Sequence, residues 1–214
     1  MPLASPRREV EFAAESVDTL VAGKRAEIRG TVLRNGSPDT GLSGTVDLVL
    51  REPDDQSGYT SPDGVTTILY RYPGGTIYRG TADVIGGSFE FSVKIPRFVG
   101  TGSLAFVRAD ADNGAIDAAQ LKDDCYIAEP EPGDTTGLHP IDGPPRVEMG
   151  FKGGQTIVKP GAVLEARVRD ADGINILNTT PEGKVAVVFD QTNLPLDVTE
   201  SFRFDSGGTD TSGV

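Results

Sequence analysis

The sequence predicts an all-β chain organised as an antiparallel β-sandwich, and three observations support this prediction. Candidate strands recur at short intervals, turn residues separate nearly all of them, and no segment keeps the period near 3.6 residues that an amphipathic helix requires. Glycine and proline are frequent, with 27 and 15 among 214 residues, and tryptophan is absent. A chain of this length can bury one large core or two modest cores without disulfides or metals.

Eight candidate strands occupy the first part of the chain, at short and regular intervals. They are Glu9 to Ala14, Arg25 to Leu33, Gly44 to Leu50, Thr66 to Tyr72, Thr76 to Val84, Ser88 to Ile95, Ser103 to Ala109 and Asp123 to Ala128. Turns are predicted at residues 35–38, 54–58, 73–75 and 112–114, which are rich in Gly, Pro, Asn and Asp. Gly114 to Lys122 is the one stretch that suits a short helical turn, although it is short for a stable helix.

The stretch from Gly80 to Pro96 is the most informative segment. Two alternating runs flank Gly86-Gly87 and stop at the proline, which predicts a β-hairpin. Because one side of the second run is apolar, a second sheet should cover it, and we expect this side to be the inward face of a central strand. The residues on that side are Phe89, Phe91, Val93 and Ile95.

A change of composition divides the chain. Residues 129–145 repeat prolines and acidic residues and offer little to bury, which predicts an acidic Pro/Gly-rich linker between a sandwich at 1–128 and a second β domain at 146–214. The second domain offers four candidate strands: Arg146 to Phe151, Val163 to Val168, Lys184 to Phe189 and Val198 to Phe204. An Ig-like sandwich needs about seven strands. We therefore expect an Ig-like first domain that folds by itself, followed by a second, incomplete Ig-like β domain that is truncated and does not.

Charge and hydropathy exclude several functions. The net charge of −12 repels nucleic acids and anionic membranes, and no stripe of Lys and Arg counters it. The first eight residues lack the apolar core of a signal peptide, and no apolar run approaches the ~18 residues of a membrane span. We expect neither a nucleic-acid partner nor membrane insertion. Residue 1 need not be a natural start, since excision from a longer secreted chain would look the same.

Cys125 and His139 are the only residues of their types, so a cysteine-protease dyad has to be considered. Asp123 and Asp124 should raise the pKa of the adjacent thiol, whereas catalysis needs it lowered, and His139 lies in the predicted linker. No Gly-x-Ser-x-Gly motif marks a serine hydrolase. We expect no catalytic residue in this chain, and Cys125 to pack as a small apolar side chain.

The acidic clusters raise the question of calcium, because hard cations favour oxygen-rich loops. The segment around Gly114 fails the register of an EF-hand loop, since alanines occupy the first two ligand positions. Asp170 and Asp172 form a better partial ligand pair, but turns capped by these side chains explain them equally well. Calcium is the one candidate cofactor, and no other cofactor is expected.

Four tyrosines could line a sugar-binding face, as in a carbohydrate-binding module. They are Tyr59, Tyr70, Tyr72 and Tyr78. The absence of tryptophan weakens this interpretation, and tyrosines that alternate within strands often pack at edges or in cores.

Phrases along the chain resemble the region that follows the catalytic domain in gingipain-type cysteine peptidases, including the type IX secretion sortase. The similar phrases run from Asp18-Thr19-Leu20 to Ile28-Arg29-Gly30, through Gly44-Thr45-Val46, Tyr78 to Pro96 and the linker from Asp134 to Pro145, to Asp170 to Asn175. Their order and spacing both agree over essentially the whole chain. One departure is Gly183-Lys184-Val185-Ala186, which stands where relatives tend to carry Gly-His-Asp-Ile.

The resemblance implies a non-catalytic segment whose parent carries its catalytic His and Cys upstream of residue 1. The segment would buttress the peptidase domain and space it from a C-terminal sorting module. The Pro-rich linker would limit the angle between the two. Its partners would be that upstream domain and cell-surface or secretion-machinery proteins, and its location secreted or on the bacterial surface. The alternative is a free-standing surface adhesin or carbohydrate-binding β-sandwich.

Overall fold

The computed structural model describes residues 8–114, 117–133, 144–154, 157, 159–170, 173–177, 184–188, 194–205, 207 and 212–214. The strands are β1 Arg8–Phe12, β2 Thr19–Val21, β3 Arg25–Arg34, β4 Ser37–Pro38, β5 Gly44–Arg51, β6 Asp55–Thr60, β7 Thr67–Tyr72, β8 Thr76–Val84, β9 Ser88–Lys94, β10 Gly102–Asp112, β11 Asp117–Ala128, β12 Arg146–Phe151, β13 Leu164–Arg169, β14 Ala186–Val188, β15 Pro195–Asp197 and β16 Ser212–Gly213. Helix α1 spans Ala14–Val17, and a 3₁₀ turn spans Thr199–Ser201. Within this part of the chain, no helix has the length and apolar character to span a bilayer.

The first sandwich consists of two sheets. In one sheet β3 lies between β1 and β9, and β4 pairs with the end of β3. The other sheet has the order β2-β11-β10-β5-β8 and is antiparallel except for the short parallel pair of β2 and β11. The predicted all-β class with an Ig-like antiparallel sandwich is confirmed.

The core lies between the inward faces of these sheets. Val10, Ile28 and Val32 of the first sheet are buried, as are Leu48 and Val107 of the second. Alternation along each strand produces this arrangement, because every second side chain points to the same face. The period of 2 along each strand therefore explains why these residues are inward.

The predicted hairpin at Gly86-Gly87 is wrong in its pairing. β8 hydrogen-bonds to β5 and β9 to β3, so the chain crosses from one sheet to the other at this turn. Ile85 and Ser88 exchange backbone hydrogen bonds of 2.9 and 3.1 Å, and the two strands then diverge. Gly87 is required here, since its φ is +79° and a Cβ would lie 2.5 Å from the carbonyl oxygen of Asp39.

The predicted inward face of β9 is correct, although the strand is not central. Phe91, Val93 and Ile95 are 0% exposed and Phe89 only 4%. Among the described strands β9 pairs with β3 alone, so it forms a sheet edge. Because β8 and β9 face each other across the core, their apolar sides cover one another.

Two predicted non-strand segments are strands. Asp117–Ala128 forms β11, whereas Gly114 to Lys122 had suggested a helical turn; pairing with β10, as in Arg108 opposite Leu121, outweighs a weak local preference. The predicted turn at residues 54–58 belongs mostly to β6, which pairs with β7.

After the predicted linker, β12, β13 and β16 form a small sheet, and β14 pairs with β15. The predicted strand Val198 to Phe204 is wrong: it contains the 3₁₀ turn, followed by single bridges from Phe204 to Gly80 and Gly213. Lys184 to Phe189 is predicted too long, since β14 covers Ala186–Val188. The domain boundaries at 128 and 146 stay predictions, and residues 134–143 lie outside the described part.

Candidate functional site

Cys125 is sealed in the core of the first sandwich. It lies on β11 opposite Ala105 and is 0% exposed, and its Sγ donates to the carbonyl of Lys122 at 3.7 Å. Burial raises the pKa of the thiol to about 11. The neighbouring carboxylates, which had been expected to cause this shift, are secondary, and Lys122 acts in the opposite direction. His139 lies outside the described residues.

Lys122 forms ion pairs with two nearby acidic side chains. Its ammonium lies 2.6 Å from Asp124 Oδ1 and 3.0 Å from Asp18 Oδ1. These hydrogen bonds, the one to Asp124 first, raise the pKa of Lys122 and lower that of Asp124. The ion pair with Asp18 therefore connects β11 to the residue before β2.

Of the two predicted calcium ligands, one lies among the described residues. Asp170 follows β13, and its carbonyl accepts a hydrogen bond from the Gly173 amide at 3.3 Å, whereas Asp172 lies outside the described residues. In the part of the chain that the structure describes, no group of three or more His, Cys, Asp or Glu side chains could hold a metal. Calcium binding through Asp170 and Asp172 stays a prediction.

The hairpin of β6 and β7 exposes several large apolar side chains. Its tip is closed by side-chain hydrogen bonds: the Thr66 amide donates to Ser61 Oγ at 3.0 Å, and the Val65 amide donates to Asp63 Oδ1 at 3.1 Å. The hydrogen bond from Ser61 lowers the pKa of the Asp63 carboxyl. Gly64 supplies the positive φ of 72° at this turn.

One face of this hairpin, the hairpin face, consists of Tyr59, Ile68, Tyr70 and Tyr72. Each of them is between 45% and 57% exposed. Tyr59 lies opposite Ile68 across the ribbon, and the rings of Tyr70 and Tyr72 have centroids 6.4 Å apart. The Tyr72 hydroxyl donates to Asp55 Oδ2 at 3.1 Å, which raises the pKa of Tyr72. Such a face suits binding, because aromatic side chains combine apolar area with a polar tip.

Tyr78 does not belong to this face. It lies on β8 and is 0% exposed, with its ring edge-to-face against Phe91 at 5.7 Å. The four tyrosines of the predicted sugar-binding face are therefore divided between an exposed ribbon and the core. Sequence alternation could not separate them, because an isolated ribbon and a core strand show the same period.

Glu52 anchors the base of the hairpin, a role that no sequence motif predicted. The residue is only 6% exposed. Its Oε1 accepts a hydrogen bond from the Gly75 amide and its Oε2 one from the Gly100 amide, both at 2.8 Å. Gly74 approaches so closely that a Cβ would lie 2.5 Å from the Pro53 carbonyl oxygen. The carboxylate thus ties the end of β5, the start of β8 and the loop before β10 together.

Two further grooves lie on the described surface. One of about 570 Å³ lies near the ends of β3, β8 and β9 and includes the Arg29–Glu90 ion pair at 3.0 Å. The other, of about 490 Å³, is lined by apolar residues of β13 and β14 together with Phe202 and Val214. Neither lining includes a cysteine or histidine, so neither groove offers the residues for nucleophilic catalysis by these types.

The comparisons with known proteins yield a structural neighbour of related fold. No protein-family model matches the chain, and no curated protein matches it significantly. The crystal structure of dimeric latent PorU from Porphyromonas gingivalis superposes with a TM-score of 0.59 at 21% identity, over 97% of this chain and 21% of PorU. Spo0M, a sporulation control protein from Bacillus subtilis, gives a TM-score of 0.32 at 14% identity, over 59% of this chain and 50% of Spo0M. This score is too low to indicate a shared fold. The chain thus shares its fold with about a fifth of PorU.

Proposed function

We propose that this chain is a non-catalytic accessory segment of a secreted, gingipain-like cysteine peptidase or sortase of the type IX secretion system. The sequence phrases resemble gingipain-type cysteine peptidases, including the type IX secretion sortase. The observation that carries the proposal is the fold shared with PorU over 97% of this chain. The agreement in order and spacing of the sequence phrases adds to it. At this identity the likeness concerns the fold, and the role is inferred.

The segment acts mechanically in this proposal. It buttresses an upstream peptidase domain of the same chain and spaces that domain from a C-terminal sorting module. The catalytic His and Cys belong to the upstream domain, and the location is secreted or on the bacterial surface. The buried thiol of Cys125, with its raised pKa, fits a structural role for this residue.

Two measurements test the proposal. In the parent protein, exchange of residues 8–133 for an unrelated β-sandwich of similar length should lower the melting temperature of the peptidase domain. The purified segment alone should not hydrolyse casein or small Arg and Lys esters. Thiol-dependent turnover by the segment that Cys125→Ala abolishes would refute the accessory role, as would a parent reading frame without a peptidase domain.

The second candidate function is surface adhesion or carbohydrate binding, and the hairpin face favours it. Tyr59, Tyr70 and Tyr72 are half exposed on one side of a ribbon, where rings can stack on a sugar or a partner protein. Binding to immobilised polysaccharides should then fall with Tyr70→Ala and Tyr72→Ala, whereas Phe98→Ala, at an 81% exposed site in another loop, should have no effect. Retention of wild-type binding in the tyrosine variants would exclude this face.

A further inference from the structure

The outer edge of β8 is occupied by a segment from the far end of the chain. β8 is the terminal strand of its sheet in the order β2-β11-β10-β5-β8. On its outer side the Phe204 amide donates to the Arg79 carbonyl at 2.9 Å, and the Gly207 amide donates to the Thr81 carbonyl at 3.2 Å. Phe204 and Gly80 form a parallel bridge. The segment therefore adds a single parallel bridge and two backbone hydrogen bonds to the outer edge of β8, and it covers part of an edge that would otherwise be open.

Aromatic rings continue across this junction. The Phe204 ring stacks on Tyr78 with a centroid distance of 4.7 Å and an interplanar angle of 4°. Tyr78 packs edge-to-face on Phe91 of β9, and Phe202 packs edge-to-face on Phe204 at 5.2 Å. Phe202 and Phe204 are each 3% exposed and belong to the same buried cluster as the first sandwich.

Glycine permits the close approach of the two backbones. A Cβ on Gly80 would lie 3.0 Å from the Cβ of Phe204, and one on Gly213 would lie 2.5 Å from Cζ of Phe202. A side chain at Gly213 would therefore displace the Phe202 ring, and one at Gly80 would push Phe204 away from β8.

A charge pair reinforces the junction at its start. Arg79 Nη2 lies 2.8 Å from Glu200 Oε2, and Arg79 also donates to the Glu200 carbonyl. The Arg79 side chain is 14% exposed and that of Glu200 59%, so one side of the pair is shielded by the protein and the other is screened by solvent.

We propose that residues 199–205 with Gly207 form a clamp that docks on β8 by strand addition and fixes the second β region to the first sandwich. The binding surface is the outer edge of β8 with Tyr78 and Arg79, and its partner is this extended segment, with an acidic residue four positions before an aromatic one. The clamp, and not the linker, then sets the angle between the two regions. This inference concerns the chain itself and does not depend on the proposed accessory role.

The test uses the full chain with a site-specific protease sequence inserted between Thr136 and Gly137. After cleavage, the two halves of the wild-type sequence should elute together in gel filtration at low micromolar concentration. Phe204→Ala should raise the dissociation constant of the halves at least about a hundredfold. Phe98→Ala, which removes an 81% exposed ring, is the matched control and should leave the association unchanged.

Hydrogen exchange in the uncut chain provides a second readout in case Phe204→Ala folds poorly. Glu200→Gln, which keeps the size of the side chain, should accelerate exchange at the Phe204 and Gly207 amides several-fold while the amides of β3 stay protected. Separation of the wild-type halves after cleavage would overturn the clamp. Unchanged association in Phe204→Ala, or unchanged exchange in Glu200→Gln, would do the same.

Discussion

Adjacent residues of β9 differ in their energetic roles because they point to opposite faces. Phe91 is 0% exposed and contacts the rings of Tyr78 and Phe89 at centroid distances of 5.7 and 6.0 Å. Glu90 points outward, where it pairs with Arg29 in a pair whose side chains are more than half exposed. Burial therefore makes Phe91 far more important for stability than its neighbour.

We expect Phe91→Ala to lower the free energy of unfolding by about 3 to 5 kcal/mol, because it removes a buried ring and leaves a cavity. Glu90→Ala should cost less than about 0.5 kcal/mol. Urea denaturation of both variants gives the comparison. Similar unfolding midpoints for the two variants would contradict the assignment of the inward face.

Cys125 should make stability depend on pH in the alkaline range. Its pKa is raised from 9.0 to about 11 in the folded chain, chiefly by burial. The folded state therefore retains the thiol proton longer than the unfolded state, so the contribution is full below pH 9 and is lost as pH rises towards 11. Integrated over this window, the loss is about 2 to 3 kcal/mol.

Cys125→Ala is the control for this prediction, since it removes the titrating group while the tyrosines and lysines remain. The difference in the free energy of unfolding between wild type and variant should be constant from pH 7 to 8.5 and should shift in favour of the variant above pH 9. A difference that stays constant up to pH 11 would show that the thiol is accessible and titrates normally.

At the scale of elements, the hairpin of β6 and β7 depends on its base for a fixed position. Its residues are nearly all exposed, and a two-stranded ribbon is marginally stable by itself. The buried carboxylate of Glu52 accepts the amides of Gly75 and Gly100 at 2.8 Å, on both sides of the junction with the sandwich. The Glu52 side chain thus reinforces the junction between the hairpin and the sandwich, together with the backbone hydrogen bond from the Glu52 amide to the Gly75 carbonyl at 3.0 Å.

Glu52→Ala should destabilise the fold by about 1 to 3 kcal/mol, because it leaves two partly buried amides without an acceptor. Glu52→Gln keeps one acceptor oxygen and should cost less. Hydrogen exchange should accelerate at Gly75 and Gly100 in the alanine variant, while Val93 and Val107 in the core stay protected. Equal stabilities of the alanine variant and the wild type would show that the anchor has no energetic role.

At the scale of the whole molecule, the two β regions differ in how well they bury apolar surface. In the first region, two sheets cover each other's apolar faces. In the second region, Val147, Met149 and Leu196 are 56%, 66% and 55% exposed. The apolar groove of about 490 Å³ beside β13 has the same character. A fragment with so much exposed apolar surface has little hydrophobic free energy to offset its conformational entropy.

We therefore expect the isolated fragment of residues 144–214 to lack a cooperative thermal transition and to bind a hydrophobic dye. The intact chain should melt cooperatively and bind less dye, because the clamp buries Phe202 and Phe204. Circular dichroism and dye fluorescence provide the measurements. A protease-resistant fragment that melts cooperatively would show that this region folds without the first sandwich.

The sequence by itself determined the fold class, most strands and the inward residues, because period-2 alternation reports which side chains are buried whatever the partner strand is. Phe91 and Val93 were predicted inside on this ground and are buried. The pairing of strands was decided only in the tertiary structure. Gly86-Gly87 fits a hairpin locally, but the ladders with β3 and β5 supply more hydrogen bonds than β8 and β9 could exchange with each other.

The residues of the candidate surfaces also differ in whether sequence or tertiary structure revealed them. The four tyrosines were selected as a candidate sugar-binding face by their residue type, whereas the separation of Tyr78 from Tyr70 and Tyr72 depends on which strand has a sheet behind it. Glu52 and Phe204 carried no sequence signal, since their roles depend on partners such as Gly100 and Tyr78, which lie 48 and 126 positions away. The local sequence pattern shows which apolar residues share one face of a strand. Contacts between distant segments are decided only when the whole chain packs into its tertiary structure.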